Sequence, residues 1–213
     1  MEKVLQDLAH VINRKREKLI IGISGHGASG KTTFAKNLMK LLTQQNVNYI
    51  NTDPYIIGSD IRKHTIIDYE YKNENHHYKM TACHPAAHHV SALERDIHMI
   101  RNGLDFYSIG TDYKKSTIIS SGKKVTIVEG MSVAFTDPNL FEIKIYLYTG
   151  GETELNRRGV RDVSERGADI NFIRHSHEER RIQYDIFMHP YHRNFDVVIK
   201  NSNEEYFLEK FAL

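Results

Sequence analysis

Apolar and polar positions alternate between two periods along this chain. Val4, Leu5, Leu8, Val11 and Ile12 recur three and four residues apart and predict an opening helix over residues 2–16. The run from Lys18 to Ser24 is continuously apolar and β-branched, which predicts a strand buried on both faces. Phe34, Ala35, Leu38, Leu41 and Leu42 then mark one face of a second helix. Val47 to Asp53 reads as a strand that ends on a carboxylate before Pro54, a residue that cannot continue a ladder. Residues 55–83 are polar, rich in tyrosine and histidine and weakly periodic, and predict a loop with short helical pieces. After Pro85, a good first helical residue, Val90, Leu93, Ile97 and Ile100 mark a helix closed by Gly103. Residues 104–110 and 116–122 predict a short hairpin or flap. Lys124 to Gly130 and Glu142 to Thr149 are further strands, and residues 151–181 are charged and helical. Phe195 to Asn201 is a last apolar strand, and residues 204–213 predict a closing helix. Strands alternating with helices imply an α/β fold, a mainly parallel sheet covered on both faces.

The length of 213 residues fits one domain, 1–213, with residues 1–17 as an N-terminal helix and about 153–181 as a lid region. With 40% apolar and 26% charged residues the composition is globular, and a net charge of +2 gives no reason to expect nucleic acid as a partner. One cysteine, Cys83, excludes an internal disulfide framework and points to the cytoplasm. No apolar run of 18 residues occurs, so neither a membrane span nor an export signal is expected. The oligomeric state is left open, with a homo-oligomer among the options.

Chemistry enters at Gly25-His26-Gly27-Ala28-Ser29-Gly30-Lys31-Thr32, which spells G-x-x-x-x-G-K-T between a buried strand and a helix. In such a loop the main-chain amides and the helix start hold phosphate, Lys31 reaches the β and γ oxygens, and Thr32 offers its hydroxyl to Mg²⁺. Glycine at 25, 27 and 30 is read here as removing side chains where those oxygens approach. No N-K-x-D guanine reader follows, and the chain is small and near-neutral for a motor. A small-molecule kinase needs three further parts. Asp53, at a strand's C-terminal end, is placed to orient an acceptor hydroxyl. Glu129 is placed as a metal carboxylate. The arginines from Arg157 to Arg166 are placed to close over the transferring group. Read without the loop, that arginine run is a solvated helix face paired with Glu154, Asp162 and Glu165, and Arg157 is expected to face solvent. His84, His88 and His89 beside Cys83 have the spacing of a metal site but lack a second cluster to complete it.

Taken together, GHGASGKTT, TDPY, CHPAAHH, IVEG and LNRRGVRDVSERG resemble the successive landmarks of the uridine kinase and phosphoribulokinase family, from about Lys18 to Asn201. The resemblance implies a P-loop NTPase-type three-layer α/β/α fold with an arginine-bearing lid and a small flap. It also implies an enzyme that uses ATP and Mg²⁺ to phosphorylate a hydroxyl of a nucleoside or another small metabolite. Residue by residue, Gly25 to Thr33 would hold the phosphates and Thr32 and Glu129 would serve the metal. Asp53, matching D-x-[FY]-Y, would be the catalytic base, with Arg158, Arg161 and Arg166 in the lid and Lys31 at the phosphates.

The acceptor side departs from that pattern. Uridine kinases have H-P-D-A-F-D where this chain has His84-Pro85-Ala86-Ala87-His88-His89, so a ribose-binding carboxylate is replaced by Ala86. Their Y-D-F becomes Thr111-Asp112-Tyr113, leaving Asp112 and an aromatic, and the arginine after E-R-G is Ala168. Uridine or cytidine is the first expectation for the acceptor. The alternatives are a sugar, a sugar phosphate or another metabolite, or a nucleotide-binding regulator without turnover.

Overall fold

The computed structural model describes residues 2–42, 46–111, 115–167, 169–202 and 205–213, excluding the side chains of Glu165, Arg166 and Phe172. Its centre is a six-stranded sheet. In chain order its members are β1 (Leu19–Ser24), β2 (Val47–Asn51), β7 (Val125–Glu129), β8 (Ile143–Tyr148), β9 (Val197–Ser202) and β10 (Glu205–Phe211). The spatial order is β10-β9-β8-β1-β7-β2. Five of these strands run parallel, and β10 pairs antiparallel with β9 at the edge.

All six residues of β1 are buried, as its unbroken apolar run predicts. Leu19, Ile21 and Ile23 pack with Leu5, Leu8 and Ile12 of α1 (Glu2–Arg14) and with Phe34, Ala35 and Leu38 of α2 (Lys31–Leu41). Ile20 faces the opposite layer, where Leu93, Ile97 and Ile100 of α4 (Val90–Arg101) meet Tyr146 and Tyr184. This period-two division makes three layers, α/β/α. The C-terminal ends of β1, β2, β7, β8 and β9 therefore lie along one side of the sheet, where open α/β folds hold their ligands.

Two segments differ from the sequence expectation. Within residues 55–83 a short helix, α3 (Ser59–Arg62), precedes an antiparallel hairpin of β3 (Ile66–Tyr71) and β4 (Glu74–Lys79). Its turn residues Lys72 and Asn73 both have positive φ, 53° and 66°, the arrangement that Asn-Gly usually marks. Residues 204–213 do not form the expected closing helix, because Glu205–Phe211 is β10. Glu, Leu and Lys favour helix only weakly, and the unpaired edge of β9 offers this aromatic-rich segment a ladder instead.

The flap is present as β5 (Phe106–Tyr107) paired with β6 (Ile118–Ile119). The charged stretch forms α5 (Gly151–Arg166), α6 (Ile170–His175) and α7 (His177–Phe187). Among the described residues no helix is long and apolar enough to cross a membrane.

Candidate active site

Residues 25–30 carry the chain from β1 into α2. Gly30 is the helix N-cap with φ 94°, and no side chain caps it. The first-turn amides of Lys31, Thr32 and Thr33 have no acceptor within the helix, and the helix dipole adds positive potential at the same place. A Cβ on Gly25, where φ is 141°, would overlap the carbonyl oxygen of Leu147 in β8, and one on Gly30 would overlap the Asn201 amide of β9. A Cβ on Gly27 would meet nothing within 4 Å. Two of the three glycines thus answer to neighbouring strands, and only Gly27 fronts open space. This revises the expectation that all three serve ligand approach. The Ser29 hydroxyl is buried there without a hydrogen-bond partner among the described residues, while the Ser29 carbonyl accepts from Asn201 Nδ2 at 2.9 Å.

Lys31 is buried, and its ammonium donates to the His26 carbonyl at 2.8 Å. Burial pulls its pKa below the usual lysine value; the charges of Glu129 and Asp53 oppose this, and that of Arg161 adds to it. Three other residues singled out in the sequence, Glu129, Asp53 and Arg161, therefore each act on Lys31. Glu129 closes β7 and is 2% exposed. Its Oε2 accepts from the Tyr49 hydroxyl at 2.6 Å, Thr32 Oγ1 at 3.1 Å and Asn51 Nδ2 at 3.3 Å. Burial first, and then Glu129, push the Tyr49 phenol far above its ordinary pKa, so it stays a donor. Asp53 opens a 3₁₀ turn, Asp53–Tyr55, directly beyond β2. Its main-chain N–H donates to Asn51 Oδ1 at 3.0 Å. Its side chain is exposed, and among the described residues the carboxylate accepts no hydrogen bond.

His26, read in the sequence only as a loop residue, is almost fully buried. Its Nε2 accepts from the Thr149 N–H at 3.0 Å, so Nδ1 carries the proton and faces Gly27 O at 2.8 Å and Glu154 Oε2 at 3.4 Å. Glu154 also meets Arg181 at 3.0 Å and Arg158 at 3.6 Å. The first turn of α5 is thereby fastened to the phosphate loop.

The arginines divide. Arg157, expected in solvent, instead donates to Asn201 Oδ1 at 3.1 Å, Asn201 O at 3.2 Å and Ala28 O at 3.4 Å. The helix phase places it over the loop's main chain, a contact that no local spacing announces. Arg158 and Arg161 are paired with Asp162 of their own helix, at 3.4 and 2.7 Å, the partner that the solvated-face reading names, but the face is not solvated: the Asp162 side chain is 7% exposed and that of Arg158 11%. Asp112 and Ala168 lie outside the described residues, as does the side chain of Arg166.

Ala86 is exposed in the 3₁₀ turn Pro85–Ala87 and its N–H donates to His84 Nδ1 at 3.1 Å. His88 has both ring nitrogens engaged, with Ser132 Oγ and the Ala82 carbonyl, each at 2.8 Å, and burial pushes its pKa down to about 4. It is a structural imidazole. Among the described residues no group of three or more His, Cys, Asp or Glu side chains is arranged for a metal. Tyr55 and Tyr69 are anchors, bonded to Asp96 at 2.5 Å and Glu179 at 2.6 Å, and His76 shares Glu179 at 2.9 Å.

Comparison with known proteins gives this geometry a setting. The family model described as "Phosphoribulokinase / Uridine kinase family" matches residues 20–206. A uridine kinase of Macrococcus caseolyticus is 29% identical over 194 residues, covering 84% of this chain and 86% of that protein. "Uridine kinase-like protein 5" of Arabidopsis thaliana is 28% identical over 198 residues, 89% of this chain but only 40% of that longer protein. Among solved structures, a D-glycerate 3-kinase from Cryptococcus neoformans aligns with a TM-score of 0.62 at 10% identity, covering 98% of this chain and 99% of its own, a likeness of fold. With the phosphate loop, its lysine and the flanking carboxylates in place, the chain belongs to the phosphoribulokinase / uridine kinase family and is an ATP-dependent small-molecule kinase.

Proposed function

We propose that the protein moves the γ-phosphoryl group of ATP to a hydroxyl of a small metabolite, with Asp53 as the base that orients and deprotonates that hydroxyl. The observation that carries this is the buried Lys31 in the phosphate loop, with Glu129 bonded to the adjacent Thr32 at 3.1 Å and the charges of Glu129 and Asp53 both acting on the Lys31 ammonium. Lys31 leaves the His26 carbonyl and neutralises charge on the transferring group, while the amides of Gly27 to Thr33 hold the phosphates. Arg158, Arg161 and Arg166 move with the lid, closing over the site and excluding water.

Thr32 and Glu129 fit Mg²⁺. Their oxygens lie 3.1 Å apart, and this metal takes one or two protein oxygens and completes its shell with water and phosphate. When bound, it would offset charge on the β- and γ-phosphates. The names of the relatives favour uridine or cytidine as acceptor. Ala86 favours a non-nucleoside acceptor, because an exposed methyl group accepts no hydrogen bond where the resemblance calls for a carboxylate.

The reading is tested with two variants. Lys31→Ala should lose affinity for Mg·ATP by calorimetry. Asp53→Asn should keep that affinity yet lose about 10²- to 10⁴-fold in acceptor-dependent ADP release. Normal transfer by Asp53→Asn removes the base assignment.

A further inference from the structure

One oxygen of Glu129 carries three hydrogen bonds. Oε2 accepts from the Tyr49 hydroxyl at 2.6 Å, from Thr32 Oγ1 at 3.1 Å and from Asn51 Nδ2 at 3.3 Å. Oε1 accepts none among the described residues, so the carboxylate is tied at one end only. Thr32 belongs to the phosphate loop, but Tyr49 and Asn51 belong to no motif that the sequence displays. Two residues apart on β2, they share one face of that strand, beside β7 and its terminal Glu129.

Each of them brings something that Thr32 does not. The Tyr49 ring packs against the core built from β1, α1 and α2, so a rigid side chain delivers its hydroxyl to a fixed point. Asn51 uses both ends of its amide, Nδ2 on Glu129 and Oδ1 on the Asp53 main-chain N–H at 3.0 Å. Glu129 and the residue proposed as base are thus referred to one side chain. A buried carboxylate beside a buried ammonium is ordinarily neutralised by pairing with it. Glu129 is 2% and Lys31 8% exposed, and the charge of Glu129 acts on the ammonium. Yet Lys31 donates to the His26 carbonyl at 2.8 Å, and Glu129 stays with its three donors. The Thr32 hydroxyl spends its only proton on Oε2, which leaves it lone pairs to offer a cation.

The geometry points to Tyr49, with Asn51 beside it, as the positioning residue that keeps Glu129 off Lys31 and available to the divalent cation of the bound nucleotide. The inference rests on the kinase reading above, in which Thr32 and Glu129 serve Mg²⁺, and names what makes that pair competent. Without the Tyr49 hydroxyl the carboxylate keeps two longer bonds, the ammonium becomes its strongest partner, and each withdraws the other from the phosphates. The hydroxyl also drains charge from the carboxylate, which opposes metal binding. Outer partners of metal-holding groups nonetheless add about 10–100-fold to affinity, so positioning outweighs the drain.

The probe is Mn²⁺, which suits the same oxygen donors as Mg²⁺, titrated into the protein with ADP and followed by electron paramagnetic resonance of the free ion. No acceptor is needed. In Tyr49→Phe the dissociation constant for Mn²⁺ in the ADP complex should rise about ten- to a hundredfold. ADP without metal, held by the loop amides, should bind this variant as it binds the parent. Asn51→Ala should raise the Mn²⁺ constant by less, in keeping with its longer bond. Tyr49→Phe added to Glu129→Gln should change nothing further, because the two groups act as one unit. A merely structural tyrosine would weaken ADP with and without metal alike, and that result overturns the positioning role. So does a Mn²⁺ constant in Tyr49→Phe equal to the parent's or tighter, with the kinase reading left intact. If Tyr49→Phe does not fold, Asn51→Ala decides, and a constant equal to the parent's overturns the proposal. A parent that holds Mn²⁺ no better than ADP does in free solution overturns the metal roles of Thr32 and Glu129 as well.

Discussion

Replacing Glu154 by glutamine tests how firmly α5 is held to the phosphate loop. The Glu154 side chain is 3% exposed and lies 3.0 Å from Arg181, 3.4 Å from His26 and 3.6 Å from Arg158. Burial alone would raise its pKa, but the hydrogen bond from His26 and the charge of Arg181 outweigh burial and hold the carboxyl well below its ordinary range. Breaking one side of a buried ion pair costs about 3–5 kcal/mol. Arg181 retains 21% exposure and Arg158 keeps Asp162 at 3.4 Å, so the lower end, about 3 kcal/mol, applies. In a chain of this size each kcal/mol moves Tm by about 2–4 °C, so Glu154→Gln should melt about 6–12 °C below the parent near pH 7. Since the folded-state pKa is lowered, the parent's advantage is fully present above the unfolded value of 4.5 and fades as pH falls toward the folded one. Thermal unfolding of both proteins from pH 7 down to about pH 3 reads this directly. A Tm within about 2 °C of the parent at pH 7, or a gap that widens on acidification, would refute the reasoning.

Two further perturbations separate packing from ligand space. Gly25→Ala should fail to fold or lose nucleotide binding outright, because the new methyl overlaps the Leu147 carbonyl at a positive φ. Gly27→Ala should melt like the parent and lose affinity for Mg·ATP, since its methyl meets only the open cradle; equal behaviour of the two variants would contradict the division drawn between these glycines. His88 makes acidification costly in the same sense as Glu154 but over a higher window. The unfolded imidazole takes a proton near 6.5 and the folded one resists until about 4, so stability should fall by on the order of 3 kcal/mol between those values. Urea titrations should show His88→Gln with a flatter profile across that window, and an unchanged slope would count against the buried neutral ring.

Much of this was legible because the informative patterns were long. The buried run of β1, the loop at Gly25 to Thr32 and the helical phase of α1, α2 and α4 each repeat one signal over several turns or strand residues. Asp53 and Glu129 could be found from their places at strand ends. The β3–β4 hairpin was hidden by a turn of Lys72 and Asn73 and by a second strand, Glu74–Lys79, with hardly an apolar residue to show alternation. The strand at Glu205–Phe211 was hidden by residues that suit a helix, and only the neighbouring edge of β9 decides the matter. Arg157 and His26 eluded the sequence for a related reason. Their partners, Asn201 and Glu154, are far away along the chain, so no local period registers them.

The dependence of the loop on Asn201 has a consequence for the order in which the protein is made. The motif leaves the ribosome well before its supports do: the amide that braces Ser29 lies 172 residues further on, and the carbonyl packed behind Gly25 arrives only with Leu147. A nascent chain therefore carries the nucleotide signature long before it owns the walls that shape it. A ligand held by the loop can stabilise it only once the fifth parallel strand, which carries Asn201, has docked.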